Sequence, residues 1–179
     1  DLLNADYLDK LDRILIGGLD RGKCLWFMDS NYQTRLYEDI DFSYKAFLDG
    51  FVKVPLVYNC RNTKPVSDYI VSLTGANMGR PRVGGGPEVS VFTKGNTKND
   101  QAIALEKHIN NCISEGIYPG QITILSPEKK EDSCVNLLDR NLRRKIGKEG
   151  KREREINKIE YFRIVDFKGQ ENEFIVLLD

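Results

Sequence analysis

The sequence predicts an α/β fold built around a mostly parallel sheet. Two observations carry this. Short apolar runs of strand length alternate with helical segments along the chain, the pattern of repeated βαβ units. Hydrophobic residues make up 40% and charged residues 30% of the 179 positions, a composition suited to a soluble domain with a real core.

Taken in order, Leu3, Tyr7, Leu8, Leu11, Ile14 and Leu15 recur at helical spacing, so residues 3–16 are read as an amphipathic helix that Gly17 and Gly18 end. Cys24 to Met28 is a continuous apolar run and is assigned to a buried strand. A helix is expected from Tyr37 to Leu48 and a strand from Val52 to Tyr58, with Pro55 marking an edge. Thr63, Lys64 and Pro65 open a helix through Leu73, with proline in its first turn.

A loop rich in Gly, Pro and Arg follows from Gly75 to Pro87, then a strand from Val89 to Phe92. Asp100 to Ser114 is a helix with Ile103, Ala104, Leu105, His108, Ile109 and Cys112 as its apolar stripe, closed by Gly116. Gln121 to Leu125 is a strand and Ser133 to Leu142 a helix. Two strands end the chain, Ile159 to Ile164 and Phe174 to Leu178.

Several classes drop out. The longest apolar run falls well short of the ~18 residues a membrane helix needs, so no membrane partner is expected. The chain opens on Asp1 without a signal peptide or an initiator Met, and is read as a segment of a longer protein. Cys24, Cys60, Cys112 and Cys134 form no CxxC pair and His108 is the one histidine. That speaks against a metal site and for reduced thiols in a cytoplasmic protein. The formal net charge is zero, so any nucleic-acid contact has to be local.

Gly17, four further residues, then Gly22 and Lys23 imitate a phosphate-binding loop. That motif requires strand, loop and helix in order, and Ser or Thr after the Lys. Here a helix precedes, a strand is expected to follow, and Cys24 takes the hydroxyl position. Gly84, Gly85 and Gly86 have no such Lys either, so the chain lacks a phosphate loop of its own.

Three strings carry more. Phe27-Met28-Asp29-Ser30-Asn31-Tyr32-Gln33 puts an Asp and a Gln after a strand, where α/β sheets bind ligands. Leu56-Val57-Tyr58-Asn59-Cys60-Arg61-Asn62-Thr63 presents an Arg where a strand enters a helix, and a guanidinium fork suits a phosphate. Phe167-Lys168-Gly169-Gln170-Glu171 is a Lys-Gly turn with a carboxylate able to accept from a ribose hydroxyl. Taken singly, the first string is better read as an ordinary polar turn, the second reads as well as a surface ion pair, and the third as a hairpin turn with exposed charges.

Together, and in this order, the strings resemble motifs III (Asp29 to Gln33), IV (Leu56-x-x-Asn59-x-Arg61) and V (Phe167-Lys168-Gly169-x-Glu171) of superfamily 1 helicases of the UvrD/Rep type. The resemblance implies a RecA-like, P-loop-NTPase-type three-layer sandwich that lacks its own P-loop. Residues 1–50 would be the tail of a first RecA-like domain and 51–179 a second one, cut before motif VI. It implies ATP and Mg2+ as cofactors of the full-length protein, and as partners single-stranded DNA or a duplex junction and the first RecA-like domain of the same polypeptide. Gln33 and Arg61 would act on the γ-phosphate as catalytic groups. Gln33, Tyr58, Arg61, Gly169 and Glu171 would line the nucleotide, with Lys168 and Arg163 toward nucleic acid. No residue is assigned to a metal.

Departures accompany the match. Three residues rather than two separate Asp29 from Gln33, and Cys60 stands at the usual adenine-stacking Tyr, with Tyr58 on the same strand face as a substitute. Arg163 replaces a DNA-contacting Thr and Gln170 a Leu. The interval between Arg61 and Lys168 is too short for the family's accessory domain, and the charged stretch from Arg143 to Lys158 stands in its place, as a solvated loop or a local phosphate-binding element. Two other readings remain: a non-catalytic RecA-like docking or nucleic-acid-binding module, and an unrelated α/β enzyme. The second suffers from the absence of any Ser/His/Asp or Cys/His grouping, with His108 placed on the core face of its helix.

Overall fold

The structure is a computed structural model, and it describes residues 5–27, 50–91, 97–152 and 156–178. It is a mixed α/β protein in which every strand pairing is parallel. The chain divides into two compact units, Asp1–Ser90 and Val91–Asp179.

In the first unit, helix α1 (Ala5–Ile14) is followed by the short α2 (Gly18–Arg21), with Gly17 between them at a φ of 88°. Gly17 to Lys23 therefore wraps a helical turn instead of linking a strand to a helix, which disposes of it as a phosphate loop. Strand β1 (Tyr58–Thr63) runs straight into α3 (Lys64–Thr74), with Pro65 in the first turn and Gly75 closing the helix at a φ of 66°. Strand β2 (Arg80–Val83) pairs with β1 in register Tyr58 to Arg80 and Asn59 to Pro81.

Three strand expectations are corrected here. Cys24 to Phe27 joins no ladder, and Leu25 is 87% and Phe27 83% exposed. A short apolar run carries no period of its own, so hydrophobicity without a pairing partner did not make a strand. The strand expected at Val52 to Tyr58 begins only at Tyr58, because Pro55 donates no hydrogen bond and the four-residue β2 offers no longer ladder. Val89 to Val91 is likewise outside any ladder. The helix expected at Tyr37 to Leu48 lies outside the described residues.

The second unit holds the core. Helix α4 (Lys98–Ser114) buries Ala102, Leu105, Ile109 and Cys112, and the Thr97 hydroxyl caps its start by accepting from the Asp100 N–H. Strands β3 (Ile122–Ser126), β4 (Ile146–Glu149), β5 (Ile159–Arg163) and β6 (Phe174–Leu177) form one parallel sheet in the order β4-β5-β3-β6. The helix expected at Ser133 to Leu142 is split into a 3₁₀ turn, Cys134–Leu137, and α5 (Arg140–Lys145), whose start Asp139 caps through Asn141 and Leu142.

The period of two sorts the sheet's faces. Ile122, Ile124, Ile159 and Tyr161 point toward α4 and form the core with Val135, Leu138, Leu142 and Ile146. Thr123, Leu125, Glu160 and Phe162 occupy the other face, and all four are buried as well. Among the described residues that face is covered by connecting segments: the ring of Phe167, from the 3₁₀ turn Ile164–Phe167, lies 5.5 Å from that of Phe162. The charged stretch Arg143 to Lys158, expected as a solvated loop or a phosphate-binding element, contains β4, with Ile146 and Gly147 buried.

Candidate functional site

In the first unit, the candidate residues stand where β1 turns into α3. The side chain of Asn59 organises this point. Its Oδ1 accepts from the backbone N–H of both Arg61 and Asn62, each at 3.0 Å, while its amide lies 3.5 Å from the Ser67 hydroxyl on α3. Those two amides are thus satisfied by a side chain at the point where the β1-β2 register shifts, between Asn59 and Thr63. Arg61 sits inside this side-chain-closed turn, with its side chain exposed.

Tyr58 is half exposed, and the guanidinium carbon of Arg82 stands 4.2 Å from its ring centroid. One face of the ring expected to stack on adenine is therefore occupied by a cation from β2. Cys60, two residues along, is an exposed free thiol. Close by in sequence, a groove of about 400 Å³ is lined by Lys64, Asp68, Tyr69, Ser72 and Glu88. Lys64 is ion-paired with Asp68, whose hydrogen bond holds its ammonium above the usual lysine range. Neither Tyr58 nor Arg61 lines this groove. It is an open groove beside α3 whose lining carries one lysine and two carboxylates, Asp68 and Glu88.

In the second unit, Arg163 ends β5 with its Nε 2.8 Å from Asp166 Oδ2 and 3.4 Å from Glu149 Oε1. Its charge is shared between two carboxylates at the carboxyl edge of the sheet, where α/β proteins place ligands. Lys168 and Gly169 then turn the chain back toward β6. Gly169 has a φ of +80°, and nothing lies within 4 Å of the position a Cβ would take. Glycine is needed there for its left-handed backbone, and the turn stays open to a group approaching from outside. Glu171 is exposed, and its carbonyl accepts from Arg152 Nη2 at 3.0 Å.

The expected residues thus fall into two groups: Tyr58 with Arg61 in the first unit, and Arg163, Lys168, Gly169 and Glu171 in the second. Gln33, with the whole string from Asp29, lies outside the described residues. Sequence reasoning missed Arg82, Thr123 and Glu160, and noted Arg152 only as one of the cations of the charged stretch Arg143 to Lys158. Of the three missed, Glu160 carried a signal, as a charged residue inside the apolar run Ile159 to Ile164.

Searches for relatives return nothing on which to lean: no family model, curated protein or solved structure matches the chain. Among the described residues no group of three or more His, Cys, Asp or Glu could hold a metal ion, and no helix is long and apolar enough to cross a membrane. All four cysteines are free thiols. Burial, and then Glu115, push the Cys112 thiol up, so it stays protonated and serves as core. His108 is half-buried beside it, with Nε2 3.7 Å from Cys112 Sγ.

Proposed function

We propose that this chain is part of an ATP-dependent DNA helicase or translocase, supplying the second side of the ATP cleft and part of the single-stranded DNA track. The observation that carries the reading is the Asn59–Arg61 turn. Its Asn closes the backbone around the very residue whose guanidinium the mechanism needs, which gives a physical reason for the Asn-x-Arg spacing. The open left-handed Gly169 turn supports it, since a nucleotide can approach that backbone without meeting a side chain. The parallel α/β architecture supports a RecA-like layout.

The roles follow from phosphoryl-transfer chemistry, where catalysis consists of positioning and of stabilising charge on the transferred group. Arg61 reaches the γ-phosphate, Glu171 accepts from the ribose, and Gln33 senses the phosphate from the first side. ATP brings Mg2+, whose protein ligands come from a P-loop-bearing domain, since this chain has no strand-loop-Lys-Ser/Thr sequence to hold it. Arg163, between its two carboxylates, meets nucleic acid only by exchanging an ion-pair partner for a phosphate.

The isolated chain is expected to hydrolyse no ATP, with or without single-stranded DNA. In the intact polypeptide, Arg61→Ala should lower DNA-stimulated turnover by roughly 10³-fold or more. Turnover near the wild-type rate would remove Arg61 from the cleft, and with it the helicase reading; a RecA-like docking module would then remain.

A further inference from the structure

The second unit contains a buried carboxylate that none of the roles above uses. Glu160 lies on β5, an inner strand, and its side chain is only 3% exposed. Its Oε2 accepts from the Thr123 hydroxyl, 3.1 Å away on the adjacent strand β3, at the position directly opposite in register. Its Oε1 is 3.7 Å from Arg152 Nε. A buried charge is costly unless paired and hydrogen-bonded, so an arrangement that keeps one here calls for an account.

Both partners of Glu160 reach onward to the same place. Arg152 donates through Nη2 to the carbonyl of Glu171 at 3.0 Å. The Thr123 hydroxyl accepts from Asn172 Nδ2 at 2.9 Å, and that same amide lies 3.2 Å from the Gly120 carbonyl. One residue further, the Glu173 carboxylate accepts from Gln121 Nε2 at 2.7 Å. Three consecutive residues, Glu171, Asn172 and Glu173, are therefore each tied to the sheet, two of them through Glu160. The connection they close, from Ile164 to Glu173, carries two strands of one parallel sheet past each other without an α-helix, shorter than the dozen or more residues such crossings usually take.

We propose that Arg152 and Glu160 are positioning residues for the Lys168–Glu171 turn: the buried carboxylate fixes the guanidinium, and the guanidinium fixes the Glu171 backbone. The turn's backbone is left-handed at Gly169, and its far end carries the exposed Glu171 carboxylate. A clamp at Glu171 sets where that carboxylate points, while the side chain stays exposed. The proposal rests on the reading that Glu171 faces a nucleotide, and its structural part stands apart from that reading.

The test is hydrogen–deuterium exchange on the full chain, together with steady-state kinetics of the intact polypeptide. Arg152→Ala should speed exchange of the amides from Gly169 to Glu173 by about tenfold, as expected for losing a hydrogen bond from a charged donor. Amides of β3 and β5 should keep their wild-type rates. Because Arg152→Ala leaves the Glu160 charge uncompensated, the double variant Arg152→Ala/Glu160→Gln removes that charge and should release the turn equally. Arg152→Lys, which can restore the ion pair or the carbonyl contact but not the fork that makes both, should fall between. In the intact polypeptide, KM for ATP should rise about tenfold with kcat within about twofold, the mark of lost binding common to ground and transition states. Unchanged exchange in the turn overturns the clamp. Faster exchange with an unchanged KM overturns its positioning role. If the wild-type polypeptide turns over no ATP, the nucleotide reading of Glu171 fails, while the exchange result still decides the clamp.

Discussion

Single residues show most clearly why local chemistry, rather than hydrophobic pattern, governs the two candidate sites. Asn59 and Asp139 use the same chemistry at different places: each turns its side-chain oxygen onto two nearby backbone amides, Asn59 within β1 at its register shift and Asp139 at the start of α5. For Asp139 this has a pH consequence. The Leu142 N–H is the main reason its carboxyl is held below the usual aspartate value of 3.8. A carboxylate whose folded value is depressed contributes stability above its unfolded value, and loses it as pH falls through the folded one. Asp139→Ala should therefore lower the melting temperature at pH 7, and the gap to wild type should narrow as pH falls below the usual aspartate value. Thermal melts of both proteins at pH 7 and in acid test this, and a gap undiminished in acid would assign the effect to shape instead of charge. Asn59 was legible in the sequence because the spacing to Arg61 marked it. Arg82 was not, because its stacking on Tyr58 depends on a strand pairing that no local pattern announces.

Elements were legible where a buried face imposed a period. Helix α4 was read to within two residues of its start, from Asp100, because Leu105, Ile109 and Cys112 recur on one side; the Thr97 cap that sets its true start was not read. Strands β3 and β5 were read because their short runs are mostly apolar and rich in β-branched and aromatic residues, as strands buried on both faces are. Strands β2 and β4 were missed for the opposite reason. Arg80-Pro81-Arg82-Val83 and Ile146-Gly147-Lys148-Glu149 look like loop, and only their neighbours, β1 and β5, make them strands. Elements built by their own residues and by packing should respond differently to mutation. Ile109→Ala, at a fully buried site facing the sheet, should cost about 2–5 kcal/mol. Thr97→Ala, at the exposed start of the same helix, should cost about 1 kcal/mol. Chemical denaturation of both variants gives the comparison, and equal losses would mean that the cap, not the stripe, organises α4.

At the scale of the whole molecule the two units differ in kind. Among the described residues, Ser67 is the one buried side chain of the first unit, whereas the second buries both faces of its inner strands. Hydrophobic burial is the main favourable term in folding, and local opening is easiest where it is sparse. Amides of β3 and β5 should therefore exchange only through global unfolding, while those of β1 and β2 exchange through local opening several kcal/mol lower. A denaturant series separates the two, because only global opening accelerates steeply as denaturant exposes the full buried surface. The distinction matters for the proposed chemistry. Arg61 would then sit on the side of the chain that opens readily, and its turn is held by Asn59 rather than by a core. Glu171 sits on the side that does not, and needs the buried Glu160 to anchor it. If β1 and β2 prove as protected as β3 and β5, the first unit has a core that its described residues do not account for, and Arg61 is held as rigidly as Glu171.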